Sequence, residues 1–232
     1  LSVERWGEIP ILRPSEGKLL SAASDIAIYA GAYYNGSIYA SGQSNKDYLY
    51  YTLKIDPANF SYEVLAQVDC FVRDMAFDYT TGTMFAVLSD DRNTGALAQM
   101  DLKTGLFTVV GDTGYEMVAL ACDNEGALYA VNAAGYLYQL NKDTAEATYR
   151  SSTSMSGSMY QSMHYDYNND TIYWAQTSGF GSKLMRLDRE TGYAVSLGVI
   201  DAASGKQKSL GIEVTSLFSI PCLLYTSPSP RD

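Results

Sequence analysis

His164 is the only histidine in the 232 residues. Any Ser-His-Asp arrangement, or any zinc site using imidazole, must therefore be built on it. No second His or nearby Cys cluster accompanies it, which argues against zinc. Just beyond it, Asp166, Asn168 and Asp170 have the D-x-N-x-D spacing of an oxygen-ligand calcium loop. The distal bidentate Glu of an EF-hand is missing, and sister stretches read D-Y-T-T-G (78–82) and D-N-E-G (123–126), which are turn sequences. Trp174 stands where similar phrases carry Ala40, Ala86 and Ala130. A large aromatic in place of a methyl is either packed against a neighbouring element or a ligand contact. Neither a metal nor a cofactor is expected.

These residues belong to a repeat. The phrase S-M-H-Y-D-Y-N-N-D-T-I-Y-W-A (162–175) returns as D-M-A-F-D-Y-T-T-G-T-M-F-A (74–86) and A-L-A-C-D-N-E-G-A-L-Y-A (119–130), and more loosely as A-G-A-Y-Y-N-G-S-I-Y-A (30–40). Each reads as two strands around a tight turn. Its aromatic position falls at Tyr39, Phe85, Tyr129 and Tyr173, at intervals of 46, 44 and 44 residues. A second hairpin opens at Arg13, Asp56, Asp101, Asn141 and Asp188, at intervals of 43, 45, 40 and 47. Asp or Asn opens such turns by accepting backbone N–H groups two residues on. Four short strands (A to D) in a unit of about 40–45 residues predict a β-propeller blade. The chain is thus expected to be all-β and one domain over 1–221. Five blades are favoured, 1–28 and 209–221 together forming the closing one; a truncated larger ring is the alternative. The first 28 residues depart from the repeat. Arg13–Leu20 predicts a hairpin there, and V-T-S-L-F-S-I (214–220) predicts the closing strand A.

Composition narrows function. A net charge of −10 argues against a nucleic-acid or anionic-membrane partner. No apolar run is long enough to span a membrane. Cys70 and Cys122 do not make a disulfide framework, so the redox compartment stays open. Twenty tyrosines suit strands and also suit contact with sugars or peptides. Residues 222–232, C-L-L-Y-T-S-P-S-P-R-D, read as a translated sequencing adapter, so the natural protein is expected to continue beyond Pro221.

The phrases D-Y-T-T-G-T-M-F-A-V (78–87), Q-M-D-L-K-T-G-L-F-T-V-V-G (99–111) and Q-S-M-H-Y-D-Y-N-N-D-T-I-Y-W-A (161–175) resemble the Tyr/Gly-rich propellers of large surface proteins from anaerobic Gram-positive bacteria. The resemblance covers about residues 29–220. It implies an extracellular module, often followed by bacterial immunoglobulin-like domains, with no catalytic residues to carry over. Other signatures are absent: the closing tryptophan of quinone-dehydrogenase blades, the sialidase S-x-D-x-G-x-T-W box and the G-H…W-D pair. Gly205-Lys206 lacks the following Ser or Thr of a phosphate loop.

Propeller ligands generally bind at the end formed by the D–A and B–C loops. That end is expected to gather Arg73, Asp74, Glu116, Gln161, Asp90–Asn93 and the segment Trp174–Phe180, including Gln176. The leading expectation is a non-catalytic extracellular binding module for carbohydrate, peptide or protein, using Trp174 and His164 where their blade breaks the repeat. The alternatives are a lactonase- or lyase-like propeller enzyme using His164 with Glu116, Glu213 or Asp74, and a structural spacer.

Overall fold

Alternating apolar strands separated by Gly, Asn and Asp turns leave each sheet with two faces to bury, and radial stacking buries both. The computed structural model describes residues 26–59, 61–89, 95–156, 160–177, 181–199 and 216–218, and the backbone of two N-terminal strands, β1 (Ser2–Trp6) and β2 (Ile9–Arg13). Among the described residues there is no helix, and sixteen strands form four antiparallel sheets of four, arranged as a β-propeller. Blade I holds β3 (Ile26–Tyr34), β4 (Ser37–Ser44), β5 (Tyr50–Ile55) and β6 (Tyr62–Val68). Blade II holds β7 (Phe71–Asp78), β8 (Thr83–Ser89), β9 (Gly95–Met100) and β10 (Phe107–Asp112). Blade III holds β11 (Met117–Cys122), β12 (Leu128–Asn132), β13 (Tyr136–Leu140) and β14 (Ala147–Ser152). Blade IV holds β15 (Ser162–Asp166), β16 (Thr171–Thr177), β17 (Ser182–Leu187) and β18 (Ala194–Val199).

The turns work as their residue types dictate. Asn35 and Gly36 both take positive φ, 46° and 82°, as a two-residue hairpin turn between right-twisted strands requires. In the C–D turns the side-chain oxygens of Asp101, Asn141 and Asp188 accept backbone N–H groups two and three residues on, at 2.7–3.1 Å. Gly105 closes one of them at φ 76°, and its carbonyl accepts from Thr52 Oγ1 of blade I at 2.9 Å. A Cβ there would lie 2.3 Å from that hydroxyl, so both the φ and the close approach require glycine.

The core lies between blades. Met75, Phe77 and Met84 pack on Ala30 and Tyr39; Phe85, Val87 and Leu97 pack on Met117 and Leu120; Val131 and Leu137 pack on Met163 and Trp174. The innermost strands follow suit: β3 packs on β7, β7 on β11 and β11 on β15. Comparable packing does not join β15 to β3 among the described residues.

One expectation for the chain ends needs correction. At the N-terminus β1 pairs with β2, Trp6 opposite Ile9 and Ser2 opposite Arg13, while residues 14–20 of the hairpin expected at Arg13–Leu20 lie outside the described residues. Val3, Trp6, Ile9 and Ile11 supply the β-formers for that pairing, whose second strand ends at Arg13. Of the expected strand at 214–220, Ser216–Phe218 are described and lie in no strand. The Leu217 N–H donates to Ser162 Oγ at 2.9 Å, while Phe218 packs against the blade I cluster of Ile26, Ile38, Ala40, Leu53 and Ile55. This piece of chain therefore touches both the first and the fourth blade. The rest of the proposed closing blade, and residues 219–232, fall outside the described residues.

Candidate functional site at the loop end of the ring

Three innermost strands carry a bulge near their first residues, at Ile28/Ala30, Val72/Asp74 and Met117/Ala119. A bulge inserts one extra residue and re-aims it. The extra residues are Tyr29, Arg73 and Val118, at the D–A/B–C end of the ring. Val118 is buried, whereas Tyr29 and Arg73 join a cluster from three blades.

Arg73 is the centre of that cluster. It is 4% exposed, and its Nη2 donates to Glu116 Oε1 at 3.0 Å and Ser89 Oγ at 3.1 Å. Its Nε and Nη1 are buried and have no hydrogen-bond partner among the described residues. The guanidinium carbon lies 4.6 Å over the Phe71 ring, a cation–π contact. Phe71 touches Tyr29 and Tyr50 of blade I at centroid distances of 5.1 and 5.8 Å, and Tyr160 at 6.4 Å. Tyr29 and Tyr160 stack at 5.6 Å, joining blade I to blade IV where the innermost strands lack the packing seen between the other blades. Burial lowers the pKa of Arg73, and the Glu116 carboxylate with the Tyr160 and Tyr50 phenols oppose that shift. Burial likewise raises the Tyr29 phenol. Tyr48 (71% exposed), Tyr115 (44%) and Tyr136 (41%) stand around this end on its loops and strand starts.

The other expected site residues sort differently. Asp74 is fully buried and is an inter-blade tie: its oxygens accept from Met75 N, Leu120 N, Met163 N and Ser162 Oγ at 2.8–2.9 Å. Burial pushes its pKa up to about 8, although all four donors favour the charged form. With four donors converging on its oxygens, Asp74 is taken up in holding blades II, III and IV together. Trp174 is wholly buried against Met163, Met185 and Val131, and its Nε1 donates to Gln161 Oε1 at 3.0 Å. Gln161 is also buried, and Gln176 Nε2 donates to the Ser156 carbonyl at 2.7 Å. This trio packs and positions blade IV. His164 is half-buried, opposite Tyr173; burial lowers its pKa to about 4, with Asp166 pulling the other way. Of the expected set, the structure pairs Arg73 with Glu116 and separately links Trp174 to Gln161. Asp90–Asn93 and Ser178–Phe180 lie outside the described residues.

Sequence reading missed Tyr29, Tyr50, Phe71 and Tyr160. Phe71 opens an innermost strand, Tyr160 stands two residues before another and Tyr29 is the fourth residue of a third, so aromatic side chains recurring near strand-A entrances were the available signal.

The opposite end, made by the A–B and C–D turns, is saturated. Tyr167 of blade IV donates to the Cys122 carbonyl of blade III at 3.1 Å and lies edge-on to Tyr79 of blade II at 5.0 Å. Phe77 stacks on Tyr34 at 3.7 Å. Asp78 binds Lys142 Nζ at 2.6 Å, with Thr80 and Thr81; although burial pushes its carboxyl up, these partners bring it down to about 2. Asp166, first residue of the calcium-like spacing, caps its own turn through Asn168 N and Asn169 Nδ2, and Asp170 pairs with Arg189. A groove of about 450 Å³ on the outer edge of blade IV, lined by Arg186, Asp188 and Tyr193, is an open trough away from the axis.

No family model and no curated protein matches the sequence. Solved structures do match in fold. A Bacteroides thetaiotaomicron protein of unknown function shares 15% identity at a TM-score of 0.55, over 76% of this chain and 44% of that one. A chain of the nidogen/laminin complex shares 12% at 0.59, over 84% and 70%. TolB from Acinetobacter baumannii shares 15% at 0.52, over 75% and 44%. The chain thus spans less than half the length of two of these relatives. At such identities the likeness shows the propeller fold alone.

Proposed function

We propose that this propeller is a non-catalytic binding module that takes its ligand at the D–A/B–C end. The observation that carries the reading is the asymmetry of the ring: among the described residues, only this end combines exposed tyrosines with a buried arginine holding unused donors. Aromatic faces around a polar anchor suit protein, peptide or sugar surfaces, because rings offer large contact area at small entropic cost. The nidogen/laminin structure is a protein–protein complex, which agrees with a protein ligand. The resemblance to surface propellers of anaerobic Gram-positive bacteria supports an extracellular, cell-surface setting. Among the described residues, no helix is long and apolar enough to cross a membrane.

A closing fifth blade drawn from both chain ends belongs to the same proposal. Ser216–Phe218 bridge blades IV and I, and β1–β2 supply a two-stranded sheet outside the four blades.

The reading is tested on glycan and bacterial surface-protein arrays. A double variant, Tyr48→Ala with Tyr115→Ala, should lose the wild-type signals while keeping its circular dichroism spectrum. Signals that survive it, yet vanish with Tyr62→Ala and Tyr193→Ala on other surfaces, would place binding elsewhere.

A further inference from the structure

We infer that Arg73 is a carboxylate receptor and that Glu116 is its built-in stand-in, vacating the guanidinium when a ligand's carboxylate arrives. The inference rests on the reading of this end as the binding face and names the chemistry that it takes.

A guanidinium presents five N–H donors in a planar fork that matches a carboxylate at two points. Glu116 satisfies it at one point only, through Nη2, and Nη1 beside it has no acceptor. Leaving buried donors unmade is costly, so a structural arginine at 4% exposure would be expected to have them filled. A carboxylate held end-on across Nη1 and Nη2 fills what Glu116 leaves open.

Glu116 is also able to leave. Its side chain is 26% exposed, against 4% for Arg73, and it follows the D–A loop residue Gly114, which adopts φ 74°. Swinging outward returns its charge to water at small desolvation cost, whereas Arg73 has no such route. Arg73 itself is re-aimed by a bulge, a device suited to presenting one side chain. Phe71 lies across the guanidinium face, so the carboxylate enters at the edge, and the Tyr29 and Tyr160 rings flank the group that carries it. The site therefore favours a single carboxylate on a body with a flat or apolar face. A free organic acid and the acidic terminus or side chain of a peptide share that chemistry.

Calorimetric titration of the full chain distinguishes the sources and tests the exchange. The probes are benzoate against benzamide, and a short peptide ending in Phe with a free carboxylate against the same peptide amidated. At least one acid should bind about tenfold or more tightly than its amide. Glu116→Gln should tighten that acid severalfold by removing the competitor, and Arg73→Lys should weaken it about tenfold because the fork is lost. Equal binding of acid and amide, no saturable binding of either acid, or an affinity unchanged or weakened by Glu116→Gln would overturn the inference. Should Arg73→Lys fail to fold, the Glu116→Gln arm still decides. If the acids fail while array signals still depend on Tyr48 and Tyr115, the binding face stands and only its carboxylate chemistry is wrong.

Discussion

The two ends of this ring are built from the same blade residues and end in opposite states. At the A–B/C–D end, tyrosines from blades II and IV meet over the axis, Tyr167 spends its hydroxyl on a carbonyl of blade III, and Asp78 is met by Lys142 and two threonines. At the D–A/B–C end, the aromatic cluster surrounds a buried cation two of whose nitrogens find no partner among the described residues. One end uses its polar groups within the structure, and the unused donors at the other are what the proposed binding face would offer a ligand. Natural proteins tolerate such local frustration chiefly where function requires it.

The comparison can be broken by substitution. The largest effect belongs to the tie between the ends. In Asp74→Asn an amide NH2 replaces an acceptor oxygen and faces backbone N–H or hydroxyl donors from other blades. Chemical denaturation should show a loss of about 4 kcal/mol; a loss under about 1 kcal/mol would mean that the axis does not depend on this residue.

Acid should act next. His164 lies at mid-strand in β15, two residues before the closed end's Asp166 turn, and its folded pKa is lowered to about 4 by burial. The unfolded chain takes up this proton first as pH falls. Stability from the neutral imidazole is therefore complete above about pH 6.5 and lost progressively toward about pH 4, by about 3 kcal/mol. His164→Gln should flatten the stability profile across that window, and an unaltered slope would remove the assignment.

Smaller effects separate the ends most cleanly. Tyr167→Phe deletes the hydroxyl that reaches blade III and should cost about 1 kcal/mol. Arg73→Met removes a charge already short of partners and should change stability by less than about 1 kcal/mol in either direction. If Arg73→Met were instead the more damaging of the two, the cation would be structural and the contrast between the ends would fail.

The repeat was legible because four-strand units recur with their turn residues, and turn chemistry is local: Asp101, Asn141 and Asp188 bond as their type implies wherever they stand. Trp174 was legible as a departure from its sister alanines, but not in its direction. Successive strand residues face opposite sides, and only the packing of blade III on blade IV shows that this position is sealed. Asp74 misled for a related reason. A carboxylate where blade III has Ala119 looks like a site residue until Leu120, Ser162 and Met163 are seen to converge on it. Arg73 and Glu116, grouped by loop end, form an ion pair, yet the bulge that aims Arg73 is a property of pairing between strands and leaves no mark in either strand alone. The chain ends were least legible, since the β1–β2 ribbon follows no blade phrase and Ser216–Phe218 are held by contacts outside any ladder.

The most direct measurement is a titration with the tighter-binding of the two acids, benzoate or the Phe-ended peptide, followed by backbone amide NMR shifts on the unmodified chain. The account predicts saturable shifts concentrated at Tyr29, Phe71, Arg73 and Glu116, with Tyr79, Cys122 and Tyr167 unmoved. Shifts centred on Tyr79 and Tyr167, or scattered without saturation over the surface, would contradict it.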